Sequence, residues 1–322
     1  MQKFRLRASD GDSAGMYMHK LFWGYIGMGV GVGIALFIAF LASLPDGKLH
    51  VIFCNVGQGD STYIIFPNGK DMLIDGGPGS QVLACLGRHM PFWDRHIDVV
   101  ALTHPQQDHM GGFQLVAERY SIGYFVRSDV RSVSESEKAF SAVLGLHRIK
   151  TKFLTSGDQI RIGEARVLAL WPSTDQLEKA DIAWDQYMNS EKTSADERVL
   201  GAGTGDLNEY SLVSLIQYGT FDVLIPGDAG SSVESGYMSG YIGNEPLEVL
   251  KVPHHGSASG MSQAYIDRIK PKYALLSVGK NSYGHPSSSI VRALESASSE
   301  IYRTDVSGDV SPISKSSWPG VS

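Results

Sequence analysis

Four apolar runs in this chain break off into clusters of aspartate, histidine and glycine, and that recurrence constrains the fold more than any other feature. Residues 98–102 lead into Thr103-His104-Pro105-Gln106-Gln107-Asp108-His109-Met110-Gly111-Gly112, and residues 221–225 into Pro226-Gly227-Asp228. Residues 247–252 lead into Pro253-His254-His255-Gly256-Ser257, and 273–278 toward Asn281-Ser282-Tyr283-Gly284-His285-Pro286. Short runs of this kind, bounded by polar residues, read as buried strands. The clusters would then meet at one edge of paired sheets. The chain has 10 histidines, and His104, His109, His254, His255 and His285 all fall just after predicted strands. Imidazole and carboxylate are the usual protein ligands of zinc and manganese. In the first cluster they recur at i, i+4 and i+5, a spacing that a turn brings together. Taken alone, that cluster also reads as a polar turn with solvated histidines.

The remaining pattern suits sheets with helices on their outer faces. Strands are predicted at 48–54, 62–66 and 72–74, with a Gly-rich loop over 55–61 and a hairpin turn at Pro67-Asn68-Gly69-Lys70. Helices are predicted at 81–90, 113–120 and 134–147 around a strand at 122–126. Short strands follow at 153–154, 159–162 and 165–170. In the second half, strands at 210–218 and 221–225 precede helices at 263–269 and 288–297. Residues 173–207 are polar and mixed in charge and are expected as a loop insertion, whether lid, substrate loop or disordered segment. Within it, Trp184 and Tyr187 either face a substrate or cover the core. Residues 311–322 are Ser-rich and expected as a flexible tail.

The motifs resemble those of the metallo-β-lactamase superfamily, whose signature is Thr-His-x-His-x-Asp-His. Here Thr103, His104, Asp108 and His109 match it, and Gln106 stands where the second histidine would be. The chain looks most like the extracytoplasmic domain of ComEC-type DNA-uptake proteins and its stand-alone relatives. That branch shows a V-G-Q-G-D loop, an L-I-D-G-G strand end and an N-x-x-S-L-V stretch. These are present at Val56 to Asp60, Leu73 to Gly77 and Asn208 to Val213. The resemblance covers about 48–310. It implies a four-layer αββα sandwich, an α/β fold, following one N-terminal transmembrane helix.

The resemblance also implies one or two divalent ions (Zn, Mn or Mg). His104, Asp108, His109, Asp228, His254 and His255 are the candidate ligands, with His255 favoured over its neighbour. Asp228 would bridge two metals. Gln58, Asp60 and Asp75 would support the ligands from behind. Asp108 and His285 would take part in catalysis, and Asn208, Ser211, Lys251 and Lys280 would contact substrate. The two lysines read equally as solvated surface charges. The implied reaction is hydrolysis, by metal-activated hydroxide, of a phosphodiester in nucleic acid. Two departures weaken the first metal site: Gln106 is a neutral amide, and the superfamily's middle histidine is missing. They leave two alternatives open. One is a non-catalytic binding module on the same fold. The other, less favoured, is hydrolysis of another ester or lactam.

Residues 21–44 carry no charge. As a helix rising about 1.5 Å per residue they reach roughly 36 Å, enough to cross a membrane. The residues near position 43 fit a signal-peptidase site badly, so a retained single-pass anchor is expected. Lys3, Arg5, Arg7 and Lys20 precede the span, and only Lys48 follows it closely. By the positive-inside rule, residues 1–20 are then cytoplasmic and the hydrolase domain extracytoplasmic. Only one span precedes the domain, so a role in DNA uptake would call for a separate channel protein. The net charge of −6 argues against tight non-specific DNA binding, though not against an enzyme that holds phosphates through metal ions. Cys54 and Cys85 lie in apolar surroundings and are expected as two buried free thiols.

Overall fold

Neighbouring residues of the apolar runs belong to different cores. In β1 (His50–Phe53) Val51 and Phe53 join the core between two sheets, while Ile52 packs with helices. Such two-sided burial explains why the runs are nearly continuous rather than alternating. The computed structural model describes residues 11–42, 44–132, 134–189, 206–241, 246–311 and 320–321. The chain divides into two units, Met1–Pro45 and Asp46–Ser322.

The first unit contains the helix Gly11–Ala42. Its segment Met18–Leu41 has a mean hydropathy of 2.1 and is long and apolar enough to cross a membrane.

The second unit holds two sheets. After β1 come β2 (Thr62–Ile65), β3 (Asp71–Ile74), β4 (His96–Leu102), β5 (Ser121–Arg127) and β6 (Lys150–Phe153). Then follow β7 (Gln159–Ile162), β8 (Ala165–Trp171), β9 (Val213–Tyr218), β10 (Phe221–Ile225), β11 (Val249–Lys251), β12 (Tyr273–Leu276) and β13 (Glu300–Arg303). Short β14 (Val310–Ser311) and β15 (Gly320–Val321) return to the first sheet, whose order is β15-β14-β1-β2-β3-β4-β5-β6. The second sheet runs β13-β12-β11-β10-β9-β8-β7.

Each sheet is antiparallel on one side and parallel on the other. Parallel pairing starts at β3–β4 and at β10–β11. A parallel connection needs a crossover, and helices supply it. Gln81–His89, Phe113–Arg119 and Glu135–Leu146 cover the outer face of the first sheet, and Glu234–Ser239, Gln263–Ile269 and Ser288–Ser296 that of the second. Serine side chains cap three of these helices. The side chains of Ser134, Ser262 and Ser287 accept hydrogen bonds from the N–H groups of Glu137, Tyr265 and Ser289. The result is the four-layer αββα sandwich, with strands β3, β4, β10, β11 and β12 delivering their C-terminal ends to one edge.

Several expectations are corrected. Residues 173–207 do not form one loop: Thr174–Asn189 is a helix that buries Leu177 and Ala180 against Val130 and Tyr210. Residues 190–205 and the side chains of Trp184 and Tyr187 lie outside the described residues. In the tail, residues 312–319 also lie outside them, but β15 pairs antiparallel with β14. Strand β13 and the helix Glu234–Ser239 were not predicted. The cysteines are not free thiols: Cys54 and Cys85 form a disulfide with their Cα atoms 5.7 Å apart. Cys54 follows β1 on its helix-facing side and meets Cys85 on Gln81–His89 within one core.

Candidate metal centre

Strands β3 and β4 pair in parallel, with Ile74 opposite Ala101, so the residues after them are neighbours. Asp75 follows β3 in a left-handed conformation, φ 59°. Its Oδ1 accepts a hydrogen bond from the Thr103 N–H at 2.8 Å. Its Oδ2 accepts from Thr103 Oγ1 and from His109 Nδ1, both at 2.8 Å. One carboxylate therefore fixes both ends of the histidine turn.

The Gly-rich loop braces this turn against the second half of the domain. Asp60 N–H donates to the Asp108 carbonyl at 3.0 Å, and Ser277 Oγ donates to the Gly59 carbonyl at 2.7 Å. A Cβ on Gly59 would collide with the Asp108 carbonyl, and one on Gly279 with the Gly57 backbone, so the chains meet where only glycine fits.

Asp108, His109, Asp228 and His255 bring ligand-type atoms within 4.8 Å of one another. His109 Nε2 and His255 Nε2 each stand 3.4 Å from Asp228 Oδ2, and His255 Nε2 is also 3.4 Å from Asp108 Oδ2. The other ring nitrogens are engaged: His109 Nδ1 with Asp75, and His255 Nδ1 with the Ser277 carbonyl at 2.8 Å. Donation from Nδ1 leaves the Nε2 lone pair facing the cluster. His104 follows the same plan beside it. Its Nδ1 lies 3.1 Å from Thr103 Oγ1, and its ring centroid is 4.1 Å from that of His109. The Nε2 atoms of His104, His109 and His255 are buried and find no hydrogen-bond partner among the described residues. Buried polar atoms without partners are costly. Three such imidazole nitrogens beside the carboxylates of Asp108 and Asp228 match the donor set of a divalent cation.

The charge balance favours the same fit. Asp60, Asp75 and Asp228 surround one buried ammonium, Lys251, which touches Asp60, Asp228 Oδ1 at 3.4 Å and the Gly227 carbonyl at 2.8 Å, and Asp108 adds a fourth carboxylate beside Asp228. Burial works against the protonated His255 ring, but Asp228 and Asp60 outweigh it and push its pKa up to about 10. Burial opposes charge on His109 too, and Asp228 and Asp75 still hold its pKa well above the usual range. Burial disfavours the Asp228 carboxylate, yet His255, His109 and Lys251 keep its pKa well below the usual range. The carboxylates thus recruit protons onto both rings. A divalent cation supplies that charge instead and releases the protons. His104 behaves oppositely: burial and the His109 charge lower its pKa to about 3, which keeps its ring neutral.

An open cavity of about 620 Å³ lies over the cluster, with Asp108 and His255 at its floor and His254, His285, Lys280 and Gln106 on its walls. His254 and His255 separate here. His255 is in the cluster, whereas His254 is partly exposed with its Nε2 3.9 Å from Asp228 Oδ2. Gln106 lies beside His104, where a further ligand would complete a second site. Gln58 lines the cavity, and its Oε1 accepts from the Gly279 N–H at 3.3 Å.

Three expected substrate contacts are corrected. Lys251 is 1% exposed and spends its ammonium on Asp60, Asp228 and Gly227, so it does not reach the cavity. Ser211 is fully buried; its Oγ accepts from the Asp228 N–H and lies 3.3 Å from His104 Nδ1. Asn208 sits in the turn Leu207–Tyr210 away from the cavity lining, with its Nδ2 donating to Asp206 Oδ2 at 3.4 Å and its buried Oδ1 without a partner among the described residues. Lys251 and Ser211 hold the site's frame. Conversely, Asn281 and Tyr283 line the cavity without having been assigned a role; their clustering with His285 was the available signal.

Residues 54–280 match the family model described as the metallo-beta-lactamase superfamily. The chain is 25% identical over 295 residues to ComE operon protein 3 of Bacillus subtilis (strain 168), covering 85% of this chain and 34% of that protein. It is 24% identical to competence protein ComA of Neisseria gonorrhoeae, over 83% of this chain and 32% of the relative. It is 26% identical to recombination protein 2 of Haemophilus influenzae, over 85% of this chain and 30% of the relative. The chain spans about a third of the length of these relatives.

Proposed function

The chain belongs to the metallo-β-lactamase superfamily, and we propose that it is a membrane-anchored, extracytoplasmic, metal-dependent phosphodiesterase acting on DNA. The observation that carries this reading is the set of three buried, unpartnered Nε2 atoms of His104, His109 and His255 around Asp108 and Asp228, with Asp108 and His255 lining the cavity above. Asp108, His109, Asp228 and His255 would hold one ion; His104 and Asp228, with Gln106 nearby, offer a weaker second place. A divalent ion supplies Lewis acidity and a water acidified toward neutral pH.

The protein's own residues do the rest. Asp75 and the Ser277 carbonyl orient the two ligand rings. Lys251 anchors Asp228 from behind. Lys280 on the cavity wall meets a phosphate oxygen. Burial, with His254 and His255, lowers the His285 pKa, so its ring is neutral at pH 7 and offers one N–H and one lone pair beside the leaving group.

Relatives named for competence and recombination favour a nucleic-acid substrate. The span Met18–Leu41, preceded by Lys3, Arg5 and Arg7, favours a cytoplasmic N-terminus. The Cys54–Cys85 disulfide suits an oxidising compartment outside the cytoplasm. The test is cleavage of an end-labelled oligonucleotide by the full chain in detergent with Mn²⁺ or Zn²⁺. Cleavage abolished by Asp108→Ala is expected; no cleavage with either ion would overturn the reading. A second reading, a non-catalytic binding module, is favoured by Gln106, and DNA binding without cleavage would select it.

A further inference from the structure

The mouth of the cavity is built differently from its floor. The floor is charged, with His255 buried and Asp108 partly exposed, whereas the mouth carries Lys280, exposed, and Tyr283, which is 74% exposed. An aromatic ring this open usually sits on a loosely held loop, but this loop is pinned. Asn281 Oδ1 accepts from the N–H groups of Tyr283 and His285, both at 3.1 Å. Asn281 Nδ2 donates to the carbonyls of Gly279 at 2.9 Å and His285 at 2.8 Å. The backbone under Tyr283 is therefore fixed while its ring is left to solvent.

The ring also has a direction. Its centroid is 5.7 Å from that of His285, with the planes 33° apart, and His285 lies 6.4 Å from His255 at 30°. Three roughly co-facing rings thus lead from solvent to the metal cluster. An exposed π-face on a pinned loop at the start of that row and an ammonium on the same loop are the two elements of single-strand recognition: stacking for a base and charge for the backbone.

We propose that Tyr283 and Lys280 form a nucleotide-recognition rim that selects single-stranded nucleic acid. A base next to the scissile phosphodiester stacks on Tyr283, and Lys280 takes an adjacent phosphate oxygen. A paired base is already stacked within its duplex and cannot lie flat on the ring, so duplexes are poor substrates. The inference rests on the phosphodiesterase reading and names the substrate class of that site.

The test is steady-state cleavage by the full chain in detergent of oligothymidylate, the same oligomer with abasic residues, and a thymidine–adenine duplex. Wild type, Tyr283→Phe, Tyr283→Ala and Lys280→Ala are compared, with metal content measured for each. Loss of one stacked base is expected to raise KM on oligothymidylate roughly 5- to 100-fold in Tyr283→Ala. Metal content and kcat should stay near wild type, and Tyr283→Phe should behave as wild type. On the abasic oligomer, wild type and Tyr283→Ala should have the same KM. Lys280→Ala should reduce the salt dependence of KM by about one phosphate contact. The proposal is overturned if Tyr283→Ala leaves KM on oligothymidylate unchanged, if it impairs both oligomers equally, or if the duplex is cut as well as the single strand. If wild type cuts none of the three, the phosphodiesterase reading falls and the rim falls with it; cleavage without a Tyr283 effect removes the rim alone.

Discussion

Asp75 Oδ2 accepts a hydrogen bond from His109 Nδ1 at 2.8 Å, joining the residue after one strand to a ligand-type histidine after the next. Because that bond fixes the ring's tautomer, it decides whether Nε2 presents a lone pair to the cluster. Asp75→Asn keeps the side chain's shape and tolerates the positive φ of this position, but its amide nitrogen competes with the ring N–H. The variant should stay folded and lose roughly 10- to 100-fold in metal affinity. Competition with a fluorescent chelator measures this directly.

Gln106 is the neutral residue beside His104. Supplying a carboxylate there with Gln106→Asp completes an oxygen and nitrogen donor set with His104 and Asp228. We expect a second ion per chain and faster cleavage, read by elemental analysis of the dialysed protein and by the oligonucleotide assay. An unchanged metal content would show that His104 does not belong to an ion site.

The Cys54–Cys85 disulfide closes a loop of 31 residues. The chain-entropy argument assigns such a crosslink about 3–4 kcal/mol. The Cys54→Ala, Cys85→Ala double variant should unfold at correspondingly lower denaturant, and the unreduced, unfolded wild type should show no thiol reactive toward Ellman's reagent.

Asp71 provides a pH-dependent element away from the candidate metal site. It exchanges hydrogen bonds with Asp98 across β3 and β4 and accepts from Tyr63 Oη at 2.8 Å. Burial, with Asp98 and Asp94 adding to it, raises its pKa from 3.8 to about 6. A carboxyl with a raised folded-state pKa contributes stability that is complete below its unfolded pKa and is lost as pH rises through the folded value. The loss between pH 4 and pH 6 to 7 amounts to about 2 kcal/mol. In Asp71→Asn this slope should flatten, as chemical denaturation at pH 4, 5, 6 and 7 would reveal.

How much of this was legible from residues alone depended on whether local pattern or long-range contact decided the outcome. The strands before Asp75, Thr103, Asp228 and His255 announced themselves because burial on both faces demands near-continuous apolar runs. The helix Thr174–Asn189 was missed because its polar, mixed-charge composition hid the buried pair Leu177 and Ala180, three residues apart on one face. The disulfide depended on the packing of a helix against β1, which no local pattern reports. Lys251 was misjudged for a different reason. It lies inside an apolar run, and a lysine in a fully buried strand needs carboxylates around it; Asp60 and Asp228 fill that need. Asn208 and Ser211 were carried over from a motif, which conveys position but not the direction in which a side chain points.

The most direct test is the metal content of the full chain, purified without chelator, dialysed and measured by elemental analysis beside His255→Ala. The account expects at least one tightly held divalent ion per wild-type chain, lost from the variant while its far-ultraviolet circular dichroism is unchanged. A wild type without bound ion after incubation with zinc or manganese, or a His255→Ala variant that retains the full amount, would contradict it.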